Sequence, residues 1–111
     1  MTHILFFILL SAGAHPIMEQ ERRALALEVV EDGSLIEVQL IADSPQTQQV
    51  SYTLEVTGRS TSKHRGRTGL VAGKKHVLST MRAEKDENWC VRAVVEEDGR
   101  EPYELIEGDC R

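Results

Sequence analysis

Few residues in this chain have the type and spacing to do covalent chemistry. Four histidines are present: His3, His15, His64 and His76. A nucleophile triad needs Ser or Cys beside a base, with an acid to orient that base. Ser60, Ser62 and Ser79 lie near His64 and His76, but no nucleophile turn surrounds them. From Val56 to Ala83 there is no Asp or Glu to orient either imidazole. His64 and His76 could meet across neighbouring strands and hold a metal, yet no further ligand stands at metal-binding spacing. Gly58, Gly66, Gly69 and Gly73 are spaced for turns, not for a phosphate-binding loop. The residues therefore point away from an enzyme and imply no cofactor.

The acid-free stretch is the unusual feature. Arg59, Lys63, Arg65, Arg67, Lys74, Lys75 and Arg82 all fall in it, while the chain as a whole carries a net charge of −5. The flanking thirds are acidic, so the protein is electrically divided. The overall sign argues against nucleic acid as a partner. The basic segment reads in two ways. It is a solvated edge strand, or it is a docking surface for an acidic or polar extended partner, on which Arg59, Lys63, Arg65 and Arg67 would steer encounters.

The first residues set the expected compartment. Ile4 to Leu10 is an unbroken apolar run, and Ser11-Ala12-Gly13-Ala14 places small residues where a signal peptidase reads. This is the pattern of a secretory signal over residues 1–14, cleaved after Ala14, although the start lacks Lys or Arg. The run is too short to cross a bilayer, which needs roughly 20 apolar residues, so no membrane insertion is expected after cleavage. What remains, about 97 residues, is one domain (23–111) preceded by a flexible lead-in (15–22). The two cysteines, Cys90 and Cys110, then read as one disulfide of an exported monomer.

The elements that must position these residues are strands. Apolar residues alternate with period two and no helical period is sustained. Ala24 to Val30 and Leu35 to Ala42 flank Asp32-Gly33, a hairpin signal. Val50, Tyr52, Leu54 and Val56 mark the cleanest strand. Thr61 to Leu70 is a polar, basic edge strand, and such cations discourage unwanted pairing. Lys75 to Met81 follows, then a charged loop from Arg82 to Asn88. Trp89 to Val95 is a strand with Trp89 in the core phase, and Tyr103 to Glu107 is the last. About seven short strands in one domain give an all-β fold, an immunoglobulin-like sandwich of antiparallel strands, with a small barrel as the other candidate. If Cys90 and Cys110 face each other directly across the last hairpin, Val95 pairs with Leu105 and Glu97 with Tyr103. Asp98 to Pro102 is then the loop, and the disulfide lies on the outer face, opposite Trp89.

The run Tyr52-Thr53-Leu54-Glu55-Val56-Thr57-Gly58-Arg59-Ser60-Thr61-Ser62-Lys63-His64-Arg65-Gly66 resembles the curli-type amyloid assembly chaperones, the CsgC and CsgH group. The strand at Val77-Leu78-Ser79-Thr80 and the Trp89 strand extend the resemblance over roughly residues 50–97. It implies an immunoglobulin-like periplasmic domain that keeps an unfolded curli-type amyloid subunit from polymerising before export. One branch of that group carries a Cys-x-Cys pair near the second strand. Here the cysteines lie elsewhere, so no redox role comes with the resemblance. Lys63, His64 and Arg65 also stand where the group has Gln and Asn. From the residues alone, an exported adhesion or ligand-binding module stays open, as does a protease-inhibitor-like or metal-binding domain using His64 and His76.

Overall fold

The structure is a computed structural model, and it describes residues 22–111. The expected signal over 1–14 and all of the expected lead-in except Arg22 lie outside the described residues. The described chain is all strand and turn. Seven antiparallel strands follow in order: β1 (Leu25–Asp32), β2 (Leu35–Asp43), β3 (Gln48–Thr57), β4 (Thr61–Leu70), β5 (Lys75–Glu84), β6 (Cys90–Glu97) and β7 (Tyr103–Gly108). They form a three-stranded sheet, β1-β2-β5, and a four-stranded sheet, β4-β3-β6-β7. This is the expected sandwich.

Period-two alternation explains how the two sheets meet. Ile36, Val38, Leu40 and Ala42 of β2 turn inward with no solvent exposure, as do Leu54, Val91, Ala93 and Val95 of the facing sheet. Burying one large aliphatic side chain contributes about 1.5–3 kcal/mol, so these central strands carry most of the driving force. The β1–β2 hairpin closes at Gly33, whose φ of 62° favours glycine.

Several boundaries differ from the sequence expectation, and β1 for one runs from Leu25 to Asp32 rather than from Ala24 to Val30. β5 continues through Arg82 to Glu84 instead of ending at Met81. Its charged residues point to the solvent side of the sheet, where they cost nothing, so charge there did not mean loop. β3 starts earlier, at Gln48, and β6 runs on to Glu97, with Trp89 just ahead of it.

The register of the last hairpin also differs. Cys90 pairs with Gly108 and Val95 with Tyr103, two residues from the expected ladder. The Cys90–Cys110 disulfide nevertheless forms, with the Cα atoms 5.0 Å apart. Gly108 adopts φ 89°, turning the chain out of the ladder, and Asp109 N donates to the Trp89 carbonyl at 2.8 Å. Cys110 thereby folds back to Cys90 rather than standing opposite it. A Cβ at position 108 would meet the Trp89 carbonyl at 2.5 Å, so the bend requires glycine on two counts. The disulfide sits on the outer face, beside Glu55 and Thr57, as expected from the phase of Cys90.

Candidate functional site

β4 is the edge of the four-stranded sheet, joined to β3 by ten consecutive pairs from Thr57–Thr61 to Gln48–Leu70. Its sequence dictates that position. Apart from Leu70, neither face of β4 offers an apolar side chain, so covering it would bury polar groups without compensation. Residues 61–65 are exposed on both faces.

The pairing separates the two faces. Lys63, Arg65 and Arg67 stand opposite Glu55, Thr53 and Ser51, the outward residues of β3. Ser62, His64, Gly66 and Thr68 share the inward phase of Val56, Leu54, Tyr52 and Val50. The Tyr52 ring lies over Gly66, where a Cβ would come within 2.5 Å of it. The His64 ring is tilted against Tyr52 with centroids 5.8 Å apart. Burial pushes the Tyr52 phenol up from its ordinary value.

Of the four cations read from the sequence, the structure lines up three. Lys63, Arg65 and Arg67 form one row along the outer face, roughly 7 Å between neighbours. Arg59 lies in the β3–β4 turn and pairs with Glu84 at 3.6 Å. Other cations are also neutralised: Arg82 by Glu37 at 3.3 Å and Lys85 by Glu31 at 3.1 Å. Among the described residues Lys63, Arg65 and Arg67 make no ion pair within 4.0 Å. The row borders a shallow depression floored by Ser51 and Thr53 and walled by Arg65, Val94 and Glu96.

The histidines do not come together on one sheet. His64 is on β4, whereas His76 is on β5 and pairs with Ala42 in the other sheet. Among the described residues no three His, Cys, Asp or Glu side chains cluster as metal ligands. Trp89 is half-buried and packs against the core.

The sequence reading missed one polar cluster. Glu97 is 6% exposed. Its carboxylate accepts from Ala24 N at 2.9 Å, from the Tyr103 hydroxyl and from Gln48 Nε2 at 3.4 Å, and it faces Arg100 at 3.7 Å. Gln48 in turn donates to Ser44 Oγ at 3.0 Å and accepts from Asp98 N at 3.2 Å. Arg23 stacks on the Tyr103 ring at 4.5 Å, and the Arg22 carbonyl accepts from Arg100. Burial first, then the bond to Glu97, drives the Tyr103 phenol far above its ordinary value. This cluster fastens the start of β1, in one sheet, to β3, β6 and β7 of the other. A signal was present: Glu97 continues the inward phase of Val91, Ala93 and Val95, and an acid in that phase demands partners.

This geometry has counterparts among solved structures. R. palustris CsgH superposes with a TM-score of 0.54 at 16% identity, over 77% of this chain and 90% of that one. The E. coli curli protein CsgC does so with a TM-score of 0.53 at 16% identity, over 75% and 93%. The fold is that of CsgH and CsgC. The sequence matches no protein-family model, and no curated protein matches it significantly. The likeness expected from the Tyr52 to Gly66 run is thus present in the fold, at an identity that carries the architecture alone.

Proposed function

We propose that the protein is a periplasmic chaperone that delays amyloid polymerisation of an unfolded, curli-type fibre subunit through transient, partly electrostatic contacts. The observation that carries this reading is the row Lys63, Arg65 and Arg67, unneutralised on an exposed edge strand, in a fold shared with two curli-system proteins. Arg59, at the end of the row and held by Glu84, completes the steering surface. The Cys90–Cys110 disulfide fits an oxidising compartment. A signal removed after Ala14 would deliver the chain there, its first mature residues acting as a lead-in to the domain at 23–111.

The physics is simple. Amyloid grows by adding extended segments to an open strand edge. A folded domain with a cationic edge meets such a segment quickly, because charge accelerates encounter more than it tightens binding. The same cations make the edge a poor template for continued growth. The test adds the folded, disulfide-bonded protein to a freshly unfolded curli-type subunit, well below one to one, and follows dye-reported fibre growth. A lengthened lag supports action on early species. No effect at equal stoichiometry would refute the chaperone reading in favour of an exported binding module.

A further inference from the structure

Four strands of the sandwich end a sheet: β1, β5, β4 and β7. They are not equally open. β1 and β7 approach each other and are tied where Leu25 N donates to the Tyr103 hydroxyl at 3.4 Å. β5 is bulged at Leu78, since Leu40 faces Ser79 and Ile41 faces Val77. A bulge of this kind breaks the regular row of donors and acceptors that an incoming strand needs. β4 has neither protection. Its ladder to β3 runs without a shift over all ten pairs, and it contains no proline.

What selects its partner is the cation row. Two copies of β4 paired antiparallel about Arg65 would set Lys63 against Arg67 and Arg65 against itself. Parallel pairing in register would set every cation against its own copy. Like charges directly opposite are destabilising, so both of these pairings with a second copy of β4 are disfavoured. An incoming strand with acids at alternate positions meets the opposite situation, because all its acids fall on the face of Lys63, Arg65 and Arg67. Its intervening side chains would lie beside Ser62, His64 and Gly66, on the side where the Tyr52 ring already covers the glycine. Those intervening residues must be small or polar.

We infer that β4 accepts an added strand whose acidic residues alternate with small polar ones, and that this alternation, not net charge alone, is what the edge recognises. The inference rests on the chaperone reading for the place of contact and adds what the client segment must look like. Each opposed pair favours the matched strand by a factor of roughly 1.4 to 5, so three pairs give about 3- to 100-fold.

The test uses two synthetic peptides of identical composition, one alternating Glu and Thr, the other with its Glu and Thr in separate blocks. Binding to the folded protein is measured at low salt, together with amide hydrogen exchange. The expected result is tighter binding of the alternating peptide by at least about threefold, with slowed exchange confined to residues 61–70. A Lys63→Glu, Arg65→Glu, Arg67→Glu variant, altered only at exposed positions, should then prefer a peptide alternating Lys and Thr. Equal binding of the two acidic peptides, or protection on β5 or β7 instead of β4, overturns the inference. The two readings fail separately. Delayed fibre growth without peptide discrimination removes the strand-pattern inference and leaves the chaperone. Discrimination without any effect on fibre growth does the reverse.

Discussion

On the proposed chaperone reading, replacing Lys63, Arg65 and Arg67 together by Gln should shorten the delay of fibre growth at low salt and hardly change it at high salt. The three side chains occupy alternate positions of one strand, so the row is roughly 14 Å long. At about 0.01 M salt the Debye length is about 30 Å, so the three cations act together on an approaching client, superimposed on the field of a chain whose net charge is −5. At about 1 M the Debye length falls to about 3 Å, shorter than the spacing within the row, and each cation is screened even from its neighbours. The substitution also takes the net charge from −5 to −8, so the remaining field repels an acidic client. Steering by a field of this kind raises encounter rates by about 10- to 1,000-fold. For three charges on an open edge we expect the low end, about tenfold at 10 mM salt, shrinking to under twofold at 1 M. The assay is the lag of client fibre growth at fixed substoichiometric protein, normalised at each salt to client alone. All three side chains are exposed, so stability should change by no more than about 0.5 kcal/mol, which a urea midpoint checks. A triple variant that delays growth as well as the parent at 10 mM, or a difference that persists unchanged at 1 M, would refute the electrostatic role.

Four further outcomes follow from the packing. Glu97→Ala strips the acceptor from Ala24 N, Tyr103 and Gln48, which should cost about 3 kcal/mol in urea unfolding. A loss under about 1 kcal/mol would mean that the carboxylate does not fasten the sheets. Gly66→Ala drives a methyl against the Tyr52 ring and should cost about 1–3 kcal/mol, detectable as a lower melting temperature. In alkaline solution the neutral phenol of Tyr103 is the form the fold favours, its value being raised above 10.0. Its contribution is therefore intact below about pH 10 and is lost as pH climbs towards the folded value, by at most about 1.4 kcal/mol per pH unit. Tyr103→Phe should flatten that decline, leaving the smaller part due to Tyr52, and an unchanged decline of urea midpoint between pH 10 and 12 would contradict the assignment. Removing the disulfide by Cys90→Ser and Cys110→Ser, which opens a loop of 20 residues, should lower stability by about 3 kcal/mol. An unfolding curve that matches the parent's would show the clasp to be idle.

Much of this molecule is written locally. The alternation of Val50, Tyr52, Leu54 and Val56, and of Ile36, Val38 and Leu40, is enough to name strands and their inward faces, because a pleated strand sends successive side chains to opposite sides. The Asp32-Gly33 turn and the edge position of β4 follow from single residues for the same kind of reason. The charged run from Arg82 to Glu84 was misleading as a loop signal, since a strand with a solvated outer face tolerates charge as easily as a loop does. The hairpin register lies two residues from the one that direct opposition of the cysteines predicts, because that opposition requires a straight ladder. Gly108, in a left-handed conformation under the Trp89 ring, bends the chain so that Cys110 returns from beyond the strand.

The candidate site divides in the same way. The sequence by itself determined the charge segregation, the absence of acids around Lys63, Arg65 and Arg67, and the phase that places all three on one face. Those are properties of neighbours along the chain, and period two carries the shared face directly into space, where the pairing sets Glu55 opposite Lys63. Only the tertiary structure decided that these three cations stay unneutralised while Arg59, Arg82 and Lys85 find Glu84, Glu37 and Glu31. It alone decided that Glu97 is buried beneath Ala24 and Tyr103, and that β4, of the four sheet edges, is both regular and open. Each of these depends on which distant residues the two sheets bring within a few ångströms, and ion pairing, burial and edge exposure are set by that approach rather than by any local pattern.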